Sequence, residues 1–332
     1  LVLAAARAMA SDLHLHPGYP LMIRQHGRIV QSPTAPLAAE SLEPALKELL
    51  SDEERATWAA RGQVATTFVV SNVARCRLTL VKTAAGPSAV FRLIPLVAPN
   101  LSSLGLPTTL ARFVAGGGGL VLVAGPASCG KTWTLAALVD IVNSERREHI
   151  VCVERPIEFV HLPKRCVVSQ REVPTQARDI SRAVRAALHE DADVLVLGEV
   201  EDPETLRLAI TAAEGGKLVL ATVASNSTAR ALARLVGMFP ADQQAQAASM
   251  LAGALRGVVA QRLVPSADGS RRLPVCEMME IDAKTEASLV AGRLSDLAPT
   301  VTFDQSLTDA VKAGRITRED ARRHADQTGL FS

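Results

Sequence analysis

Apolar and polar positions alternate with two different periodicities along this chain. In residues 1–98, short apolar runs with strand spacing mix with a helical stretch from Leu42 to Leu50. Ser51 and the acids after it are typical of the start of a second helix. Six short strands are predicted here, the last three antiparallel: 13–15, 21–24, 28–30, 68–70, 75–80 and 89–92. The pattern predicts an α+β domain.

From residue 119 onward, apolar strands alternate with helices, which is typical of a parallel sheet covered on both faces. The predicted strands are 120–124, 149–154, 166–170, 193–198 and 217–223, with a later antiparallel pair at 258–264 and 273–281. The predicted helices are 131–143, 178–189, 203–214, 227–237 and 241–256, with a helical tail over 304–327. Prolines and glycines in the segment 99–118 predict a linker between the two domains, 1–98 and 119–332.

Composition narrows the possible functions. The chain of 332 residues is 48% hydrophobic and 21% charged, which allows two buried cores and argues against disorder. Its net charge is +2 without a dense basic run, which counts against a nucleic-acid motor. The sequence contains no stretch of eighteen apolar residues, so it predicts no membrane span. Five scattered cysteines without a C-x-x-C pair indicate reduced cytosolic thiols rather than disulfides or zinc ligands.

One segment carries the chemistry. It reads Gly125, Pro126, Ala127, Ser128, Cys129, Gly130, Lys131 and Thr132, the pattern G-x-x-x-x-G-K-T. A predicted strand precedes it and a predicted helix follows, which is the context of a phosphate-binding loop. Glycines let the backbone turn its N–H groups toward an anion, and the helix N-terminus adds its positive end. We expect Lys131 to reach the β- and γ-phosphates of ATP and Thr132 to ligate Mg²⁺.

Two acids end neighbouring apolar strands of the same domain. Glu199 follows the strand 193–198 and suits the acid that holds Mg²⁺ through water, while Glu154 is a candidate to position the attacking water. Either acid alone is equally explained as a solvated strand end. Cys129 within the loop suggests a thiolate stabilised by N–H groups, whose oxidation would block nucleotide binding. Trp133 lies either near the nucleotide or in the helix core.

Several strings resemble the PilT-type twitching-motility retraction ATPases of the secretion ATPase superfamily, nearly end to end. In the first domain these are 11–15 and 89–92, and in the second 156–161, 170–173, 206–209, 211–214 and Phe239-Pro240. The resemblance implies a PAS-like domain joined to a RecA-like P-loop domain, hexameric rings, and nucleotide bound between the domains. It gives Glu199 the role of the Walker B acid and Glu154 that of the catalytic acid. It also implies that Arg75, Arg77 and Arg92 contact the nucleotide, although Arg75 and Arg77 also suit exposed strand positions.

The same resemblance implies a cytoplasmic motor at the inner face of the cytoplasmic membrane, peripherally associated with it. Such a motor acts on an inner-membrane platform protein at the base of a type IV pilus. It forms a homo-hexamer, or a mixed ring with a related ATPase, and binds no nucleic acid.

The chain departs from the family pattern around the phosphates. Arg155 replaces an aspartate after the catalytic glutamate, and Glu201 replaces an arginine after the Walker B glutamate. Lys217 and Ala224 stand where the family has the two histidines of its His box, which is thought to sense the γ-phosphate. Residues 284–290 replace the string linked to retraction.

These departures leave alternatives open. The chain is either a working retraction ATPase that has drifted, or a paralogue that binds ATP, hydrolyses it slowly and joins or modulates an active ring. A nucleic-acid translocase shares the core fold, but such a protein usually has a basic stripe, which this sequence lacks. An assembly ATPase of the superfamily commonly carries a four-cysteine zinc insertion, which this chain lacks.

Overall fold

A computed structural model describes residues 1–8, 10–70 and 74–331. The chain forms two compact units, Leu1–Val97 and Ala98–Ser332. As the sequence predicts, the fold is mixed α/β with two separate sheets.

The first unit contains one antiparallel sheet. Its strands are β1 (Asp12–Leu15), β2 (Met22–Gln25), β3 (Arg28–Gln31), β4 (Gln63–Val70), β5 (Ala74–Thr83) and β6 (Gly86–Pro95). They are ordered β3-β2-β1-β6-β5-β4, and every neighbouring pair is antiparallel. Its helices are α1 (Val2–Arg7), α2 (Ala39–Lys47) and α3 (Asp52–Arg61). The helix predicted from Leu42 to Leu50 therefore begins earlier, and its last three residues are not helical.

Alternation along β5 explains the core of this unit. Cys76, Leu78 and Leu80 are buried, because alternate side chains of a strand point to the same face. Trp58 of α3 is only 2% exposed and completes this core. Ser51 caps α3 through the expected capping box, which the N3 residue of that helix completes.

The segment 99–118 is not the linker that its prolines and glycines predict, because it packs into the second unit. It forms two short helices, α4 (Leu101–Leu104) and α5 (Ala111–Val114), joined by a 3₁₀ turn at Thr108–Leu110. Their apolar side chains, including Leu101 and Phe113, are buried in one of the two cores of that unit. The turn-forming residues thus separate short packed helices rather than mark a free chain.

The second unit is built on a seven-stranded sheet. Its strands are β7 (Gly119–Ala124), β8 (His149–Glu154), β9 (Val167–Glu172), β10 (Val194–Glu199), β11 (Leu218–Val223), β12 (Leu255–Pro265) and β13 (Arg272–Glu280). The order is β13-β12-β7-β11-β10-β8-β9, with every pair parallel except β12 and β13. The predicted antiparallel pair forms, and it also extends the main sheet because β12 runs parallel beside β7.

Helices cover both faces of this sheet. They are α6 (Lys131–Glu145), α7 (Ile180–Ala187), α8 (Pro203–Glu214), α9 (Thr228–Val236), α10 (Gln244–Ala254), α11 (Ala283–Val290), α12 (Phe303–Lys312) and α13 (Arg318–His324). Alternate residues of β7 enter two different cores, Leu120 and Leu122 on one side and Val121 and Val123 on the other. A strand buried on both faces reads as a continuous apolar run, which is why the pattern predicted it.

Several sequence expectations differ in detail from the structure. The helical tail predicted over 304–327 forms two separate helices, α12 and α13. The helix predicted over 241–256 begins as a 3₁₀ turn at Ala241–Gln243 and ends at Ala254. Helix α11 was not predicted. Among the residues that the structure describes, none of the helices combines the length and apolar character needed to span a bilayer.

Candidate functional site

The candidate site lies at one edge of the seven-stranded sheet, where four adjacent parallel strands end. In sheet order these are β7, β11, β10 and β8. The phosphate loop follows β7, Ala224 follows β11, and Glu199 and Glu154 are the last residues of β10 and β8. Ligands of open parallel sheets bind at this carboxyl edge, because loops and helix N-termini converge there.

The phosphate loop connects β7 to the fifteen-residue helix α6. Pro126, Ala127 and Ser128 form its exposed part, whereas Cys129 is buried. Gly130 is the N-cap of α6 and has a left-handed φ of 94°, a conformation that costs glycine little. The first N–H groups of α6 have no partner within the helix, so this end is suited to bind an anion.

Lys131 and Glu199 lie close together at the loop. The Lys131 ammonium donates to the carbonyl oxygens of Gly125 at 2.9 Å and Pro126 at 3.2 Å, and is therefore held across the loop. Its Nζ is 3.9 Å from Oε2 of Glu199. The structure thus brings the predicted phosphate-binding lysine and the predicted Mg²⁺-side acid together, with Thr132 next in the chain.

Glu154 occupies the end of the neighbouring strand in a polar network. Its side chain is buried, with 6% exposure, and its Oε1 accepts a hydrogen bond from Nε2 of Gln170 at 3.3 Å. The same Gln170 donates to the carbonyl oxygen of Phe159 at 2.8 Å and accepts from the backbone N–H of His161 at 2.8 Å. Gln170 therefore connects the segment after β8 to the side chain of Glu154 by hydrogen bonds.

The two charge departures near these acids are partners in the structure. Arg155 Nη1 lies 3.6 Å from Oε2 of Glu201, and both side chains are about half exposed. The two positions at which the sequence departs in charge from the family pattern therefore form one ion pair. Its members directly follow Glu154 and lie two residues beyond Glu199. This ion pair links the segments that follow Glu154 and Glu199 electrostatically.

The two His-box departures lie at opposite ends of β11. Lys217 precedes the strand, and its ammonium donates to the carbonyl oxygen of Ala192 at 2.5 Å. Six residues of strand span roughly 20 Å, so Lys217 is at the opposite edge of the sheet from the phosphate loop. The inclusion of Lys217 among changes close to the phosphates is therefore wrong. Ala224 does lie at the loop edge, and its methyl group offers no hydrogen bond.

The surroundings of Cys129 disfavour a thiolate. Burial raises the pKa of the Cys129 thiol, and the opposing effects of the Lys131 charge and backbone N–H are smaller. The thiol packs tightly inside the loop, since a Cβ placed on Gly125 would lie 2.3 Å from its sulfur. Cys129 is therefore enclosed as a small packing residue, and burial of this kind disfavours oxidation.

Trp133 occupies a position between the two alternatives. It is half-buried and packs edge-on against Phe159, with ring centroids 5.2 Å apart and an interplanar angle of 85°. The first turn of α6 is thereby in contact with the segment that follows Glu154. A contact between Trp133 and nucleotide stays a prediction.

The arginines predicted to contact nucleotide lie on adjacent strands of the first unit. Arg77 and Arg92 are directly opposite each other across β5 and β6, and Arg75 lies opposite Ile94. Arg92 donates to the buried carboxylate of Asp12 at 3.0 Å. Arg92 thus has a structural partner within its own unit, and the nucleotide role of all three stays a prediction.

Sequence reasoning missed two glutamines. Gln170 belongs to a string that resembles the family, but the sequence predicts no role for it. The sequence also predicts no role for Gln261, which is in the predicted strand 258–264. Gln261 is 3% exposed, yet it contacts the phosphate loop. A single amide within a run of apolar strand residues is the signal that was available, since buried polar groups need partners.

A phosphate loop at the carboxyl edge of a parallel sheet, with a paired lysine and acid, defines a RecA-like P-loop nucleotide-binding protein. A family model described as type II/IV secretion system protein matches residues 3–322. The chain belongs to this family, which confirms the resemblance found in its sequence.

Similar proteins cover almost the whole chain. The type IV pilus retractation ATPase PilT of Pseudomonas aeruginosa is 36% identical over 98% of this chain and 97% of its own. A twitching motility protein of Neisseria gonorrhoeae is 34% identical, covering 94% of this chain and 86% of its own. A crystal structure of the pilus retraction motor PilT with bound ADP superposes with a TM-score of 0.88 at 32% identity, covering 99% and 97% of the two chains.

Proposed function

We propose that this chain is an ATP-binding motor subunit of a type IV pilus machine, coupling ATP binding and hydrolysis to pilus retraction and twitching motility. The contact of Lys131 with Glu199, 3.9 Å apart at the phosphate loop, carries the proposal. P-loop ATPases use such a lysine and acid for the phosphates and Mg²⁺. The likeness to the PilT retraction ATPase and to PilT with bound ADP supports ATP as the substrate.

The residues of the loop fit a Mg²⁺-bound nucleotide. The Thr132 hydroxyl would hold the ion directly, and Glu199 would hold it through water. When bound, Mg²⁺ supplies positive charge to the phosphates. Lys131 would leave the carbonyl oxygens of Gly125 and Pro126 for the phosphate oxygens, which are stronger acceptors because they are charged.

Glu154 would orient the water that attacks the γ-phosphate and accept its proton. Its burial favours this role, since a carboxylate sheltered from bulk solvent interacts more strongly with a single water. Gln170 holds its Oε1 at 3.3 Å and so limits the orientations that the carboxylate can adopt. The Arg155–Glu201 ion pair would connect the segments that follow Glu154 and Glu199.

The proposal includes the setting of this activity. The chain would act in a homo-hexamer, or in a mixed ring with a related ATPase, at the inner face of the cytoplasmic membrane. Its partner would be the platform protein of the pilus, and its net charge of +2 supports a function without nucleic acid. Deletion of the gene for this chain from its host should abolish twitching motility, and re-expression of the chain should restore twitching motility.

A second candidate function is a regulatory subunit that binds ATP but hydrolyses it slowly. Ala224 favours it, because this residue directly follows β11, the strand between β7 and β10, and carries no polar side chain. Loss of one group that stabilises transition-state charge costs about 10²–10³ in rate. Nucleotide binding would survive, because Lys131 and Thr132 are retained.

Phosphate release by the purified chain separates the two functions. For a motor, the wild type turns over ATP, Glu154→Gln lowers kcat by about 10²–10³, and Lys131→Ala abolishes nucleotide binding. Equal, near-zero rates for all three proteins, with ATP bound by the wild type, would refute the motor. The regulatory function would then require capture of the chain in a ring with an active homologue.

A further inference from the structure

Gln261 of β12 joins two groups of the phosphate loop region. Its Nε2 donates to the carbonyl oxygen of Cys129 at 2.7 Å, and its Oε1 accepts from the hydroxyl of Thr134 at 2.5 Å. Gln261 is 3% exposed and Thr134 is fully buried, so both hydrogen bonds are shielded from water. The strand carries the glutamine to this place, because Ala260 pairs with Ala124, the last residue before the loop.

The bond to Cys129 fixes the direction of the next N–H group. The carbonyl of Cys129 and the N–H of Gly130 belong to one rigid trans peptide plane, in which they point in opposite directions. When Gln261 holds the carbonyl toward β12, the Gly130 N–H must point away from β12. That N–H belongs to the N-cap of α6, where backbone N–H groups are suited to bind phosphate.

The Cys129 carbonyl determines which end of the Gln261 amide faces the loop, and Thr134 holds the other end. An amide presents a donor at one end and an acceptor at the other. Because a carbonyl oxygen only accepts, the NH₂ group faces Cys129, and Oε1 accepts from the Thr134 hydroxyl. A carboxylate at position 261 would instead place an acceptor against the Cys129 carbonyl.

Close approach shows that Gln261 is fitted to the loop at two points. A Cβ on Gly130 would lie 2.9 Å from Nε2 of Gln261, and a Cβ on Gly125 would lie 2.9 Å from its backbone oxygen. Both distances are too short for a real side chain. Gly130 therefore leaves room for the Gln261 side chain, and Gly125 leaves room for the backbone of β12.

We propose that Gln261, anchored by Thr134, is a positioning residue that sets the Cys129–Gly130 peptide plane for phosphate binding. It acts through the loop backbone. The proposal rests on the proposed nucleotide function of this loop and adds the residue that shapes it.

ADP binding by isothermal titration tests the proposal. Gln261→Glu should weaken ADP binding about 10- to 100-fold at pH 8, the range expected when a buried hydrogen bond is replaced by two facing acceptors. Binding by this variant relative to wild type should recover as pH falls, because the introduced carboxyl group regains a donor when it is protonated. A purely structural defect would not recover in this way.

Two further comparisons control for folding. Thr134→Val, which has the shape of threonine without the hydroxyl, should weaken ADP binding, whereas Thr134→Ser should retain it. Asn143→Asp is the matched control, because Asn143 is also a buried amide that bridges two groups, Leu162 O and Lys164 N, near the other end of α6. It should keep wild-type ADP affinity.

The outcomes separate this inference from the function on which it rests. Absence of ADP binding by the wild type would refute the nucleotide function itself. Wild-type affinity in Gln261→Glu, or equal affinities of Thr134→Val and Thr134→Ser where Gln261→Glu does not fold, would overturn the positioning role.

Discussion

Reversing the ion pair between Arg155 and Glu201 tests whether the two segments that follow Glu154 and Glu199 are electrostatically linked. The variants are Arg155→Asp, Glu201→Arg and the double variant, which exchanges the charges of the two positions. Each single variant places two like charges together. The double variant rebuilds the attraction in the opposite sense.

The structure bounds the size of the effect. The charged atoms are 3.6 Å apart, and the side chains are 50% and 59% exposed. An exposed pair is worth about 0.2–1 kcal/mol, and like-charge repulsion costs a similar amount. Each single variant should therefore lose up to about 2 kcal/mol, or up to about thirtyfold in turnover if the whole energy acts on the transition state. The double variant should return to within about threefold of wild type.

Phosphate release at saturating ATP measures this coupling as a double-mutant cycle. In 1 M salt, where the screening length is about 3 Å, the single variants should approach wild type. Reversal of Arg293 and Asp296, an ion pair of similar exposure at 3.2 Å, is the matched control and should not change turnover. Additive losses, with a double variant worse than either single one, would refute the link.

Three other predictions follow from described side chains. ADP should change the fluorescence of Trp133, which packs edge-on against Phe159. Trp133→Phe should abolish this change, while the buried Trp58 remains a constant background. An ADP-dependent change that persists in Trp133→Phe would contradict the prediction. Iodoacetamide should leave Cys129 unmodified in the native chain at pH 7.5, because burial raises the pKa of its thiol. Rapid alkylation of Cys129, detected by mass spectrometry, would contradict this prediction. Burial lowers the pKa of His161 to about 4, below the value near 6.5 of the unfolded chain, so the free energy of unfolding should fall by up to about 3 kcal/mol as pH drops from 6.5 to 4. Urea unfolding should show a shallower pH dependence in His161→Phe, and an unaltered slope would exclude this cause.

The sequence alone was sufficient for the fold class. β7, β8, β10 and β11 are mostly apolar runs, because both faces of the sheet are covered, and such runs are visible without any tertiary information. The phosphate loop was equally visible, since its glycines and lysine are contiguous. The linker prediction failed because Leu101 and Phe113 look like isolated residues among turn formers until their packing partners are known.

Pairings between distant segments were beyond the sequence. Arg155 and Glu201 looked like two separate defects, and Lys217 looked like a third, because spacing along the chain does not tell which strand ends meet. The structure makes the first two an ion pair and places Lys217 at the far edge of the sheet. It also brings Gln261 to the phosphate loop across 132 positions of sequence from Cys129.

What the sequence determined by itself is therefore local: the loop from Gly125 to Thr132, its strand and helix, and acids at the ends of two strands. These features depend on neighbouring residues and on burial periodicity, which a linear pattern records. Tertiary structure alone decided which charges and amides meet at that loop, because strand order and register set those distances.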